Sequence, residues 1–382
     1  MPIQSTSIDN NTGDGFDYTA NSQTFLIMTG VAVVSEQAQG AGTSFNNDKL
    51  INYGTLVGST YGIIDNFDDA ADRNFSGQST YINESSGLIT ASTAIKIETE
   101  NDTIDNYGHI EGVAYGIDAL LYAVGATISN YGAIDSDGTA VGVIDTASIF
   151  NSGTINGGDV GIRDYGLNGS TTIVNSGVIA AGVSGSGDAI FGNGNGGTIK
   201  VTNTGTIEGN VDVASLPKST IVNKGSIEGD VQLGNGPNTF NGVGGTVTGT
   251  ITGGSGADTI RLGNDGETVN GGAGHDMIYG GAGADTFDFT SVLAVDTDKI
   301  VGFNVAADTI QLDHTEFVGL IAGATPVFSI GAAPTSASDH LYYNSTTGWL
   351  YYDADGTGSK PSHGFANVGA GLHLTAKDFT VV

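Results

Sequence analysis

The chain has no cysteine, so neither a disulfide framework nor thiol redox chemistry is open to it. Proline is scarce, 6 of 382 residues, which excludes collagen and Pro-rich tethers despite 62 glycines. Positive charge is equally scarce: 11 Lys and Arg face 41 Asp and Glu, a net charge of −30. Binding to nucleic acid or bare anionic lipid is therefore not expected, because phosphate contacts need basic side chains. The most apolar stretch, residues 25–34, is broken by Thr29-Gly30 and is too short to span a bilayer. Residues 1–10 lack a basic segment leading into an apolar one, so no ordinary secretory signal is read there. Long apolar helices are also missing, and repeated glycine would weaken any that formed.

What remains is apolar enough for a core, at 38%, unlike a disordered acidic tail. Its most regular part is a run of nine-residue units, Gly-Gly-x-Gly-x-Asp followed by a polar and a large apolar residue. The units begin at Gly253, Gly271 and Gly280 and place Asp258, Asp276 and Asp285 at the sixth position. Residues 262–270 fill the gap in phase but carry Asp265 and Glu267 instead. Glycine allows the positive φ of a tight turn and leaves its carbonyls accessible to an ion. Aspartate adds a hard anionic oxygen, which suits calcium with its six to eight oxygen ligands. Ile260, Val269, Ile278 and Phe287 occupy position eight, where a short strand points inward. Two units make one coil, so Asp258 and Asp276 should share one edge, and Asp285 should share the other with Asp265 or Glu267.

These units resemble the RTX (repeats-in-toxin) family, in which such nonapeptides form a calcium-binding parallel β-roll. The resemblance implies Ca2+ held by the turn residues Gly253, Ser255, Gly271, Ala273, Gly280 and Ala282. The acidic side chains of Asp258, Asp265, Glu267, Asp276 and Asp285 complete the implied ligand set. Residues 375–382, Thr-Ala-Lys-Asp-Phe-Thr-Val-Val, resemble the uncleaved signal of RTX substrates of type I secretion, although a final β-strand would look similar. Export through that machinery and an extracellular location follow as expectations.

Upstream runs a longer repeat, Asn-x-Gly-x-Ile, starting at Asn106, Asn130, Asn151, Asn175, Asn203 and Asn223, with a variant at Asn52. Its spacing of 20 to 28 residues is that of a solenoid, each coil giving two or three short strands. Ile and Val should face inward, with Asn and Gly at turns because both tolerate left-handed backbone. Stacked Asn side chains can form a hydrogen-bond ladder along the axis. Similar repeats occur in the parallel β-helices of bacterial adhesins and autotransporter-like proteins, a resemblance that covers residues 48–232. The other architecture open to such a pattern is a β-sandwich.

The reading is thus an all-β chain: a parallel β-helix (β-solenoid) continuing into an RTX calcium β-roll with a C-terminal β-rich cap. Residues 1–45 form an N-terminal cap or exchange strand, 46–232 the β-helix, 233–290 the roll, and 291–382 the cap with the secretion signal. Asn238 stands where a degenerate unit expects Asp. A hairpin is expected around residues 344–348, and Asp353-Ala354-Asp355-Gly356 is read as a plain turn, because Gly364 stands where an EF-hand needs its last acidic ligand.

Function follows as a non-enzymatic, calcium-binding surface or biofilm-matrix protein that self-associates head to tail and touches cell-surface or matrix polysaccharide. The alternative is a calcium-dependent polysaccharide lyase or epimerase, which needs carboxylates beside a proton-moving Lys, Arg, His or Tyr. Residues 1–232 offer one histidine, His109. The clusters Asp65, Asp68, Asp69, Asp72 with Arg73, and Glu98, Glu100, Asp102, read as solvated acidic surface, the second on one outward strand face. Tyr107 and Tyr131 recur at one repeat position and read as a structural stripe.

Overall fold

In the computed structural model the described residues are 24–382 apart from 36–38, 44–47, 66–77, 121–122, 183–186, 195 and 292–295; before residue 24 the backbone of Ile3–Gln4 and Ile8–Asn10 is described. Among them there is no α-helix, only the short 3-10 turn Ala376–Asp378. Among the described residues no helix is long and apolar enough to cross a membrane. The protein is a β-solenoid built in two compact units, Met1–Leu216 and Pro217–Val382.

The first unit winds three strands per coil. One coil runs through Ala126–Asn130, Ala133–Ser136 and Thr139–Val143; the next runs through Ala147–Asn151, Thr154–Gly157 and Val160–Asp164. Each strand pairs in parallel with its counterpart one coil on, so Ile128 stacks on Ile149, Ile134 on Ile155 and Val141 on Ile162. All six are fully buried, and such columns are the core. Two longer strands, Leu88–Ile97 and His109–Ala119, turn the corner between the second and third faces without a break.

Coiling begins earlier than residue 46. Thr24–Ile27 pairs with Lys49–Asn52, and the backbone of Ile3–Gln4 pairs with Leu26 and Ile27. The strands Thr24–Ile27, Ala32–Ser35 and Gln39–Thr43 are therefore part of the solenoid, because each pairs in register with a strand of the next coil; residues 11–23 of the expected cap lie outside the described residues.

The repeat asparagines carry the expected ladder. Asn52, Asn83, Asn106, Asn130, Asn151, Asn175 and Asn203 are buried, each Nδ2 donating to the Oδ1 of the next at 2.7–2.9 Å. Asn83 escapes the motif because its glycine, Gly87, comes two residues late. The glycines, however, are there for another reason than backbone handedness. Gly108, Gly132, Gly153, Gly177 and Gly205 do not have positive φ. A Cβ on any of them would sit 2.0–2.3 Å from the carbonyl oxygen of the glycine one coil back. Close coil stacking excludes a side chain there.

The acidic clusters divide. Asp68, Asp69, Asp72 and Arg73 lie outside the described residues. Glu98, Glu100 and Asp102 do not share a strand face: they follow the strand Leu88–Ile97 in a turn. Asp102 is buried, its carboxylate accepting from the Ser79 N–H at 2.8 Å and bonding Thr99. Capping a neighbouring coil outweighs solvation here. Tyr107 and Tyr131 do stack, with ring centroids 4.7 Å apart.

In the second unit the coil shrinks from three strands to two. Phe240, Ile260, Ile278 and Ile300 form one inner column, and Ile251, Val269, Phe287 and Ile310 the other. The cap continues both sheets: His363–Asn367 lies parallel to Asp298–Val301, and Phe379–Val381 parallel to Thr309–Leu312. Leu341–Asn344 and Trp349–Tyr352 form the expected antiparallel hairpin. Asp353 opens a turn whose Asp355 N–H it accepts at 3.1 Å, and Gly364 sits in a strand.

Candidate metal centre

The nonapeptide turns stack on two edges of the roll. On the first, Asp276 lies one coil beyond Asp258, its Oδ1 accepting from the Asp258 N–H at 2.8 Å. Ser255 and Ala273 form a parallel bridge beside them, and Gly254, Gly256, Gly272 and Gly274 have positive φ. On the second edge Asp285 stacks on Glu267, accepting its N–H at 3.2 Å. Asp265 is exposed and takes no place in the stack. Glu267 therefore occupies the aspartate position, its longer stem reaching back to the N–H of Gly263 at 3.2 Å. The second edge also turns differently: Gly280, Gly281 and Gly283 lack positive φ. A Cβ on Gly281 would stand 1.7 Å from the Gly263 carbonyl oxygen. Gly280 lies beside this turn, and Ala282 is exposed at its tip.

Both stacks run further than the motif. Asp298 accepts from the Asp276 N–H at 3.0 Å, and Asp308 from the Asp285 N–H at 3.1 Å. Insertions hide them, since their steps are 22 and 23 residues instead of 18. The remaining signal was the tripeptide Asp-x-Ile, present at Asp298 and Asp308 as at Asp258 and Asp276.

One member of the first stack is an amide. The Oδ1 of Asn238 accepts from the Ser219 N–H at 2.7 Å, and its side chain is uncharged. Its Nδ2 donates to the carbonyls of Gly234, Gly236 and Gly253 at 2.8, 2.6 and 3.3 Å. At Asp258 and Asp276 that donor is replaced by a second oxygen. Both Oδ2 atoms, and Oε2 of Glu267, are buried without a hydrogen-bond partner. Acceptors converge there: a Cβ on Gly271 would lie 2.6 Å from Asp276 Oδ2 and 2.9 Å from Asp298 Oδ2. One on Gly253 would lie 2.1 Å from the Gly271 carbonyl oxygen and 2.6 Å from Asp258 Oδ2.

The electrostatics follow from that crowding. Burial pushes the Asp258 carboxyl up to about 7, helped by the Asp276 charge. Burial likewise raises Asp276 to about 6 and, with the Asp276 charge, Asp298 to about 8. Glu267 rises to about 7 through burial and the Asp285 charge, and burial raises Asp308. Acceptors facing acceptors need either a proton or a cation. The donor set, hard oxygens from carboxylates and carbonyls around glycine cradles, fits calcium. Among the described residues no three acidic or histidine side chains gather as a ready-made ligand group. An ion at these turns would therefore take side-chain oxygens in pairs and its other ligands from the backbone. No protein-family model matches this sequence, and no curated protein matches it.

Proposed function

We propose that the chain is a non-enzymatic, extracellular structural protein of a cell surface or biofilm matrix, whose roll folds on binding calcium and which then self-associates head to tail. The observation that carries this reading is the exchange of Asn238 for Asp258 and Asp276 at one position of successive coils. An amide closes the turn by itself; a carboxylate leaves a buried oxygen without a donor. Calcium supplies the missing positive charge, and a ligand at a hundred times its dissociation constant stabilises the folded state by about 2.7 kcal/mol per site. Several such sites are comparable with the whole stability of a domain. In a low-calcium cytoplasm the acidic turns repel one another and the chain stays loose, a state suited to export by type I machinery. Outside, calcium completes the roll.

The test is a calcium titration of the full chain followed by far-ultraviolet circular dichroism and size-exclusion chromatography. Folding and a shift to larger species are expected together as calcium rises. Asp258→Ala with Asp276→Ala should raise the calcium midpoint about tenfold or more, the loss of one site's binding energy. An unchanged titration removes the site assignment, and a monodisperse monomer in millimolar calcium removes the self-association.

A further inference from the structure

The third face of the first unit carries a group of side chains that neither the core nor the calcium reading uses. Residues 1–216 hold five Lys and Arg, and two of them stand on this face against aromatic rings. Lys96 Nζ lies 5.2 Å from the Tyr61 ring centre. The Arg163 guanidinium lies 5.8 Å from that of Tyr165 and 5.1 Å from that of Phe191. The Tyr115 ring lies across Gly142, where a Cβ would meet its Cε1 at 3.0 Å, and its hydroxyl is 3.4 Å from that of Tyr165. All four rings are half-buried.

Beside this platform an open groove of about 490 Å³ is lined by Val113, Tyr115, Asp137, Thr139, Asp159 and Arg163. Among the described residues no carboxylate forms an ion pair with Arg163, and its Nε is buried without an acceptor. On the same face, Asp118 Oδ1 is buried without a donor. A surface with only a structural role does not carry such unmet groups without cause.

Half-buried rings, a guanidinium and exposed carboxylates together match the alternating apolar faces and hydroxyl edges of a sugar. We infer that this face is a binding platform for a neutral polysaccharide lying along the stacking axis. Coils repeat about every 4.8 Å, close to the length of one pyranose unit, so successive sugars meet successive coils. Neutrality follows from the local charge. Lys96 is matched by Glu98 at 2.5 Å, and Arg163 shares its surroundings with Asp137, Asp159 and Asp188, so a polyanion would meet carboxylates throughout. Tyr115 and Arg163 are the central anchors; Asp137 and Asp159 accept sugar hydroxyls.

This extends the matrix reading but rests on the first unit alone, so it can fail while the calcium titration succeeds, and the reverse. Affinity electrophoresis of the full chain in calcium buffer tests it, through native gels containing β-glucan, glucomannan, dextran or alginate. Retardation is expected in at least one neutral gel. Arg163→Ala and Tyr115→Ala should each weaken it about tenfold, as the loss of a central anchor does, while Tyr107→Ala, an exposed ring elsewhere, leaves it unchanged. Arg163→Lys, which keeps the charge but loses the planar fork, gives the same reading if Arg163→Ala does not fold. Passage unhindered through all three neutral gels overturns the inference. So does stronger retardation in alginate, or equal loss in Tyr107→Ala.

Discussion

Asn151 sits in the middle of a buried amide column, accepting from Asn130 at 2.8 Å and donating to Asn175 at 2.8 Å and to the Val178 carbonyl at 2.8 Å. Each amide is both donor and acceptor, so the column closes on itself without ions. Removing one member leaves a buried donor and a buried acceptor without partners, each costing about 1–3 kcal/mol. Asn151→Ala should therefore lower the stability of the first unit by roughly 2–4 kcal/mol, seen as an earlier urea transition. Asn151→Asp should be worse, because it places a carboxylate against the acceptors of Gly153 and Val178. At this scale the sequence was legible where spacing was regular: the ladder from Asn106 to Asn203 and the stack of Asp258 on Asp276 both follow from the repeat. It was illegible where a loop changed the step, as at Asn83, Asp298 and Asp308. Between Asp265 and Glu267 the register decides: Glu267 is sixth in the unit 262–270 and stands 18 residues before Asp285.

The strand Phe379–Val381 belongs to the roll's second sheet: Phe379, Thr380 and Val381 pair with Ile310, Gln311 and Leu312. Phe379 and Val381 are buried, and Thr375 with Asp378 caps the turn leading into it. A signal read from this tail would be read from the unfolded chain, since the folded one has it in a sheet. The strand also covers Thr309–Leu312, whose edge would otherwise offer a template for pairing with another chain. Truncation after Asp378 is expected to leave calcium-induced folding less cooperative and to cause aggregation. Light scattering alongside the calcium titration measures this; a soluble truncate with an unchanged titration would show that the strand is dispensable. The sequence allowed both a signal and a final strand here, since an acidic residue before a short apolar run satisfies either.

Across the whole molecule the charge of −30 acts in one direction. Buried carboxyls of the roll have folded values near 6 to 8, above the ordinary carboxylate value of about 4. The folded, metal-free state thus binds these protons more tightly than the unfolded state does. That contribution to stability is complete below about pH 4 and is lost as pH rises through the folded values. Self-repulsion grows over the same range. Without calcium, the urea midpoint of the second unit should fall between about pH 5 and pH 8; saturating calcium should abolish the fall. A metal-free midpoint that rises with pH over this range would contradict the assignment of these protons.

The sequence by itself determined that the chain coils. Apolar residues at a fixed period, with glycine and asparagine or aspartate at each turn, favour a parallel stack over the β-sandwich the pattern also allows, and the stack buries Ile128, Ile149 and Ile173 in one column. Periodicity is a local property and survives without knowledge of neighbours. Tertiary structure alone decided what the turns contain. Whether a carboxylate faces solvent, as at Asp265, or caps a neighbouring coil, as at Asp102, depends on atoms some twenty residues away. The gathering of Tyr115, Arg163, Tyr165 and Phe191 on one face likewise needs four coils in register. A side chain's partners across coils are set by the winding, and the winding exists only once the chain has folded.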